Sequence, residues 1–363
     1  MGTLPEKLMA GGDSAVLSWF ADQSAGWPVT AIPCDLDPEW IMDYLRGRRE
    51  HDVFEIRTPG DYADYGDFPS YGLRKGRTLE PEHVSMGRVE RIDQVLAAFD
   101  ALRRERPALA EAKVQLSQPN PLDLAMFVFA GAAVSGGLPV GKALRHSDVV
   151  VRALRNLPVF TEAIVRDVAT VTERYGDRVV WQLESPIALL SMVKAQQLGA
   201  QWALGPLVAR QLAGVLIRMR EVGADTVVHL CYGDYQHKSL LSPRDLAPAV
   251  NLLNRVAPQL RSRDIPLPPV HVPCAFGAEP APLEPEFYTP LRKLDPAWPL
   301  IAGVVAPESE DDSLHARNLF ERAANRPVHG VATACGLGRC TPETAERAAA
   351  HTVAVARATT TPT

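Results

Sequence analysis

From Arg91 to the C-terminus, helical patterns alternate with short β-branched runs, and this alternation constrains the fold more than any other feature of the chain. Helices are expected over residues 92–106, 147–175, 206–222, 243–261, 313–324 and 342–357. Strands are expected over 112–117, 179–184, 226–231, 269–272, 300–306 and 328–334. Pro107 stops the first helix. The second is expected to break at Pro158 and end at Gly176. Pro206 and Gly223 flank the third in the order that helix ends favour. Strands separated by helices of this length are joined by crossovers and lie parallel. About six βα units are readable, so the expected fold is α/β: a single (β/α)8 TIM-type barrel with a loop-rich N-terminal extension. The rival is a doubly wound open sheet. It would carry a Gly-rich phosphate turn after an early strand, and no GxGxxG or GxxxxGK[ST] occurs.

One domain is expected over 1–363, with 1–25 a partly ordered lead-in and 358–363 a frayed tail. Residues 34–90 are polar, aromatic and turn-rich. Tyr62, Tyr65, Phe68 and Tyr71 fall in this stretch, where they either pack or form a lid over the barrel mouth.

At 363 residues and 46% hydrophobic content, the chain has enough apolar material for a large core, which excludes a disordered protein. A net charge of −5 gives no basic excess for nucleic acid or an anionic membrane. Neither a secretory signal nor a run of ~18–20 apolar residues is present. Five cysteines are too sparse for a disulfide framework and fit a reducing, cytoplasmic setting.

In a parallel barrel the chemistry sits at the carboxyl ends of the strands. The unusual polar residues of this chain fall there: Gln118 and Asn120, then Glu184, then His229 and Cys231, then His271 with Cys274 beyond it, and Cys335. Strand parity puts Gln182 and Glu184 on one face, and likewise His229 and Cys231. An imidazole, two thiolates and one further N or S donor make a zinc-like ligand set. The plainer alternative is a satisfied core histidine beside thiols that act as small hydrophobes. Tyr232, Asp234, His237 and Lys238 follow the same strand. They are either a solvated loop or substrate contacts and acid–base groups, with Asp234 and His237 the catalytic candidates. Arg339 either holds an anionic group or caps a helix.

The segment His229-Leu230-Cys231-Tyr232-Gly233-Asp234, followed by Ala334-Cys335-Gly336-Leu337-Gly338-Arg339, resembles the cobalamin-independent methionine synthase family in its C-terminal catalytic barrel. More broadly it resembles the superfamily that includes uroporphyrinogen decarboxylase. The likeness runs from Lys113 to Arg357 and is greater for a single-barrel, methionine-synthase-like branch; the chain has room for one of the family's two barrels. The resemblance implies one zinc per chain, held by His229, Cys231 and Cys335. The family's Glu ligand falls within Pro269–Cys274, which has no carboxylate. His271 is the natural substitute and Cys274 the second choice. A neutral imidazole there would make the metal a stronger Lewis acid. Glu184 stands at the family's amine-binding Asp, and Ser185 replaces a neighbouring Glu. Gln118 and Asn120 sit in a turn similar to the family's Gly-Pro-Thr turn; with Glu184 they are the expected substrate contacts, to which position along the chain adds Tyr232 and Arg339.

The activity implied is zinc-dependent methyl (alkyl) transfer to a thiol or similar soft nucleophile. The partners implied are a small thiol or amino-acid-like substrate, a folate methyl donor and a second copy of the chain in a homodimer. Two alternatives share the barrel: a metal-independent, decarboxylase-like lyase, and a non-catalytic zinc- or substrate-binding protein.

Overall fold

A computed structural model describes residues 3–27, 29–34, 40–63, 67–131, 147–233, 241–275 and 279–358. Its strands are β1 (Ala31–Cys34), β2 (Phe54–Thr58), β3 (Ser70–Leu73), β4 (Lys113–Pro119), β5 (Val179–Glu184), β6 (Asp225–His229), β7 (Val270–Pro273), β8 (Leu300–Val305) and β9 (Gly330–Thr333). The helices are α1 (Glu6–Met9), α2 (Gly12–Gln23), α3 (Trp40–Gly47), α4 (Val89–Glu105), α5 (Pro121–Ala130), α6 (Ser147–Tyr175), α7 (Pro186–Gln197), α8 (Gln201–Glu221), α9 (Ala247–Arg261), α10 (Pro285–Tyr288), α11 (Glu310–Ala324) and α12 (Pro342–Arg357).

Seven strands form one parallel sheet in the order β1-β4-β5-β6-β7-β8-β9, curled into a half-barrel. Among the described residues β9 does not pair with β1, and the closed eight-stranded barrel expected from the sequence is not seen there. All six expected strands are present, displaced by no more than two residues at either end. In this sheet the strand missed was β1; the hairpin strands β2 and β3 were missed too, in a stretch read as turn-rich. Strand β1 is four residues long and contains a proline, which weakens its strand signal, and it lies at the sheet edge, where proline is tolerated.

Register explains the burial. Val114, Leu116, Trp181, Leu183, Val228 and Val270 share the helix-facing side and are all buried. Gln115, Gln182, Glu184, His229 and His271 share the other side, the concave interior. The polar residues therefore collect inside the curl while the apolar ones drive the helices onto its outside.

Pro158 does not break α6. A proline removes the bond to the carbonyl four residues back. That carbonyl belongs to Leu154, which is 50% exposed, so water can replace the missing donor. Phe160, Ala163, Ile164, Val168 and Val171 form a buried stripe that holds the rest of the helix. Helices α5 and α7 escaped the sequence pattern because apolar residues fall on nearly every side of α5 and of the first half of α7. Every residue of α5 is buried, so there is no polar face to set a period.

The hairpin β2–β3 forms a separate antiparallel pair. Phe68 is fully buried with its ring 6.0 Å from that of Phe127 on α5, and the Tyr71 hydroxyl donates to the Leu45 carbonyl at 2.6 Å. Gly131 ends α5 at φ 47°, where a Cβ would lie 2.5 Å from the Pro69 carbonyl oxygen. The described aromatics of this stretch thus pack the hairpin onto α5; Tyr65 lies outside the described residues. The lead-in is helical, with Leu4, Val16 and Leu17 buried, and the Leu337 amide donates to the Thr3 carbonyl. Among the described residues no helix is long and apolar enough to cross a membrane.

Candidate functional site

Two strand ends, those of β6 and β9, bring the ligating atoms together. His229 closes β6, in register with Glu184 on β5 and His271 on β7. Cys231 lies just past the strand end, where the Leu230 amide still donates to the His271 carbonyl and Gly233 turns the chain at φ 75°. Cys335 follows β9, its carbonyl held by the Thr333 hydroxyl at 2.6 Å. One ring nitrogen of His229 and the sulfurs of Cys231 and Cys335 all lie within 4.8 Å of one another. Zinc bonds of ~2.0–2.3 Å set tetrahedral ligand atoms about 3.5–3.8 Å apart, so sub-ångström rotamer shifts close this set on a metal. His229 and Cys231 are buried, and Nε2 of His229 has no hydrogen-bond partner among the described residues. A buried, unpartnered lone pair beside two thiols fits a soft-to-borderline cation.

His271 stands behind His229 rather than in the three-atom cluster. The two Nδ1 atoms are 2.7 Å apart, and Nε2 of His271 meets the Thr333 carbonyl at 3.0 Å. The ring planes differ by 18° with centroids 4.6 Å apart. Because the nitrogens are much closer than the centroids, the rings meet edge to edge. Burial, the largest cause, holds both imidazoles below their ordinary pKa. Cys274 lies outside the cluster too: its thiol donates to the Val272 carbonyl at 3.7 Å, and burial pushes its pKa up.

The expected substrate contacts divide. Glu184 is buried on the concave face and accepts from Gln182 Nε2 at 3.3 Å. Gln115 in turn donates to Gln182 at 2.9 Å, so a polar ladder leads up to the carboxylate. Tyr232 is buried beside the two thiols Cys231 and Cys274, and burial raises its hydroxyl pKa well above the ordinary value. Asn120 is fully buried. Its Oδ1 caps α5 through the Leu122 amide and accepts from Gln211, while its Nδ2 donates to Ser185 Oγ. Gln118 pairs in register with Leu183, on the helix-facing side, and donates to its neighbour's carbonyl. Asp234 and His237, with Lys238, lie outside the described residues.

A residue the sequence pattern overlooked is Asp123. Its Oδ1 accepts from the Ile187 amide in the first turn of α7, and Oδ2 is buried without a partner among the described residues. Burial, the largest cause, raises its pKa well above the usual carboxyl range, and the charge of Glu184 adds to the rise. A lone acid in the apolar run Pro121-Leu122-Asp123-Leu124 was the available signal.

A cavity of about 360 Å³ opens beside Cys335, walled by Thr333, Glu308, Arg339, Cys340 and Thr344. Arg339 is exposed at its edge. A second cavity of about 410 Å³ lies at the amino ends of the strands, around Lys113, Gln115 and Asp225. The cluster, however, lies at the carboxyl ends.

No protein-family profile and no curated protein matches this sequence. Solved structures do. The chain is similar in fold to a methyltransferase from Methanosarcina mazei. The TM-score is 0.52 at 14% identity, covering 97% of this chain and 91% of that one. A B12-independent methionine synthase from Shewanella sp. W3-18-1, in complex with selenomethionine, has a TM-score of 0.49 at 14% identity, covering 98% of this chain and 96% of that one. At such identity, the likeness to the methyltransferase is one of fold.

Proposed function

We propose that this chain is a zinc-dependent alkyl transferase that moves a methyl group to or from a small thiol. The observation that carries the reading is the His229, Cys231, Cys335 set, within 4.8 Å and with an unpartnered buried Nε2, at the carboxyl ends of a methyltransferase-like sheet. These three residues would hold the metal. A divalent zinc supplies one thing when bound: it lowers the pKa of a thiol from ~8.5, so that a thiolate is available at neutral pH.

The chain's own residues do the rest. Glu184, one strand from His229 and in register with it, would pair an ammonium group on the substrate. The cavity beside Cys335, about 360 Å³, falls in the range that takes one small molecule, with Arg339 at its edge to meet an anionic group. In the transfer the thiol proton passes to water beforehand, the sulfur–carbon bond forms from the thiolate lone pair, and the bond from the methyl carbon to the donor breaks with its electron pair leaving on the donor.

The test is direct. Purified protein should retain about one zinc per chain and methylate members of a panel of small thiols from a methylated folate, or demethylate S-methyl thioethers in reverse. Protein that takes up no zinc and turns over none of these would sink the reading.

A further inference from the structure

We propose that His271 is a positioning residue that locks His229 in the tautomer with its proton on Nδ1, leaving Nε2 as the lone-pair ligand. The tautomer claim stands on the hydrogen-bond geometry of two neutral rings; its consequence for metal affinity rests on the zinc reading above.

The Thr333 carbonyl oxygen can only accept, so Nε2 of His271, 3.0 Å away, carries a hydrogen. A neutral imidazole has one N–H, so Nδ1 of His271 is an acceptor. It lies 2.7 Å from Nδ1 of His229, which must then be the donor. The lone pair of His229 is thereby assigned to Nε2, the atom that is buried with no partner among the described residues. The relay needs both rings neutral, which is the ordinary state of histidine above its usual pKa of ~6.5.

Gly303 shows that the space for this ring is built. On β8 it is the register partner of Pro273, and a Cβ there would lie 2.6 Å from Nε2 of His271 and 3.0 Å from Cε1. Real Cβ atoms do not approach so closely. A glycine inside a strand often marks such an approach. The acceptor carbonyl and Cys335 also ride on the same strand end, two residues apart. One short hydrogen-bonded chain therefore ties β9, β7 and β6 together behind the cluster. Partners of this kind commonly set which nitrogen a ligating histidine offers, and their loss typically costs about 10–100-fold in metal affinity.

The experiment uses the full chain, ¹⁵N-labelled at histidine and stripped of metal. Long-range ¹H–¹⁵N spectra should show His229 protonated on Nδ1. His271→Leu and Gly303→Ala should move that proton toward Nε2 or populate both forms, whereas His271→Asn, which keeps an acceptor near the Nδ1 position, should preserve it. In parallel, zinc competition against a chelating dye should give a loss of about 10–100-fold for His271→Leu and a much smaller loss for His271→Asn. Apo melting temperatures identify variants that fold.

Nε2-protonated His229 in the folded wild type overturns the proposal, as does unchanged affinity in all three variants. Equal loss in His271→Asn and His271→Leu, with a cobalt-substituted spectrum that has lost a nitrogen donor, also overturns it by making His271 a ligand. If the tautomer follows the prediction while no variant and no wild type binds zinc, the relay stands and the zinc reading fails.

Discussion

Glu184 and His229 are register partners on neighbouring strands, so a buried carboxylate and a candidate metal ligand sit side by side at the carboxyl ends of β5 and β6. That pairing makes Glu184 the acidic group best placed to read a substrate held at the cluster. Glu184→Gln should lower kcat/KM for an amino-acid thiol by ~2–4 kcal/mol, the range for breaking a buried charge pair. Zinc content should not change. The deciding comparison uses the same thiol without its amino group. Equal losses on both substrates would show that Glu184 does not read the amine.

Cys231→Ser and Cys335→Ser should each reduce bound zinc from about one per chain to near zero after dialysis, because a neutral hydroxyl replaces a thiolate in a three-residue set. Metal analysis by mass spectrometry checks this. Cys274→Ser serves as the contrast. Its thiol donates to the Val272 carbonyl and is not one of the three clustered ligands, and zinc should remain.

Asp123 should make stability fall as pH rises. Its folded pKa is raised, chiefly by burial, above the ~3.9 of an unfolded Asp, so the folded state binds more protons between the two values. The favourable contribution is complete below pH ~4 and is lost as pH climbs through the folded pKa, at no more than about 1.4 kcal/mol per pH unit. Asp123→Asn keeps an acceptor for the Ile187 amide and cannot ionise. Denaturant titrations from pH 4 upward should show the variant gaining on wild type with increasing pH. A constant difference would mean that Asp123 does not titrate differently in the two states.

Asn120→Ala should destabilise the fold by ~1–3 kcal/mol, since it removes a helix cap and leaves Gln211 and Ser185 without a buried partner. Urea unfolding measures this. If Asn120 contacts substrate instead, the variant would unfold like wild type and show a raised KM.

Much of this was legible in the residues. The β-branched runs placed β4 to β9 within two residues, since a fully buried parallel strand needs an apolar helix-facing side and has few other sequences open to it. Strand parity put Gln182, Glu184 and His229 on one face. Cys335 could be named because it follows a recognisable strand. Helices α5 and α7 were not legible, because apolar residues fall on nearly every side of α5 and of the first half of α7 and leave no clear period.

What the sequence determined by itself was local: which segments are strands, which side of each is apolar, and which residues stand at the carboxyl ends. Those follow from side-chain chemistry acting over a few residues. Only the tertiary structure decided how these ends meet. Alignment by position offered His271 as a fourth ligand, yet its nitrogens are engaged by His229 and the Thr333 carbonyl. Asn120 was read as a substrate contact; in the structure its side chain bonds the Leu122 amide close by in sequence and Ser185 and Gln211 far from it. A side chain's role is set by which partners satisfy its donors and acceptors once water is excluded, and those partners come from other strands and helices.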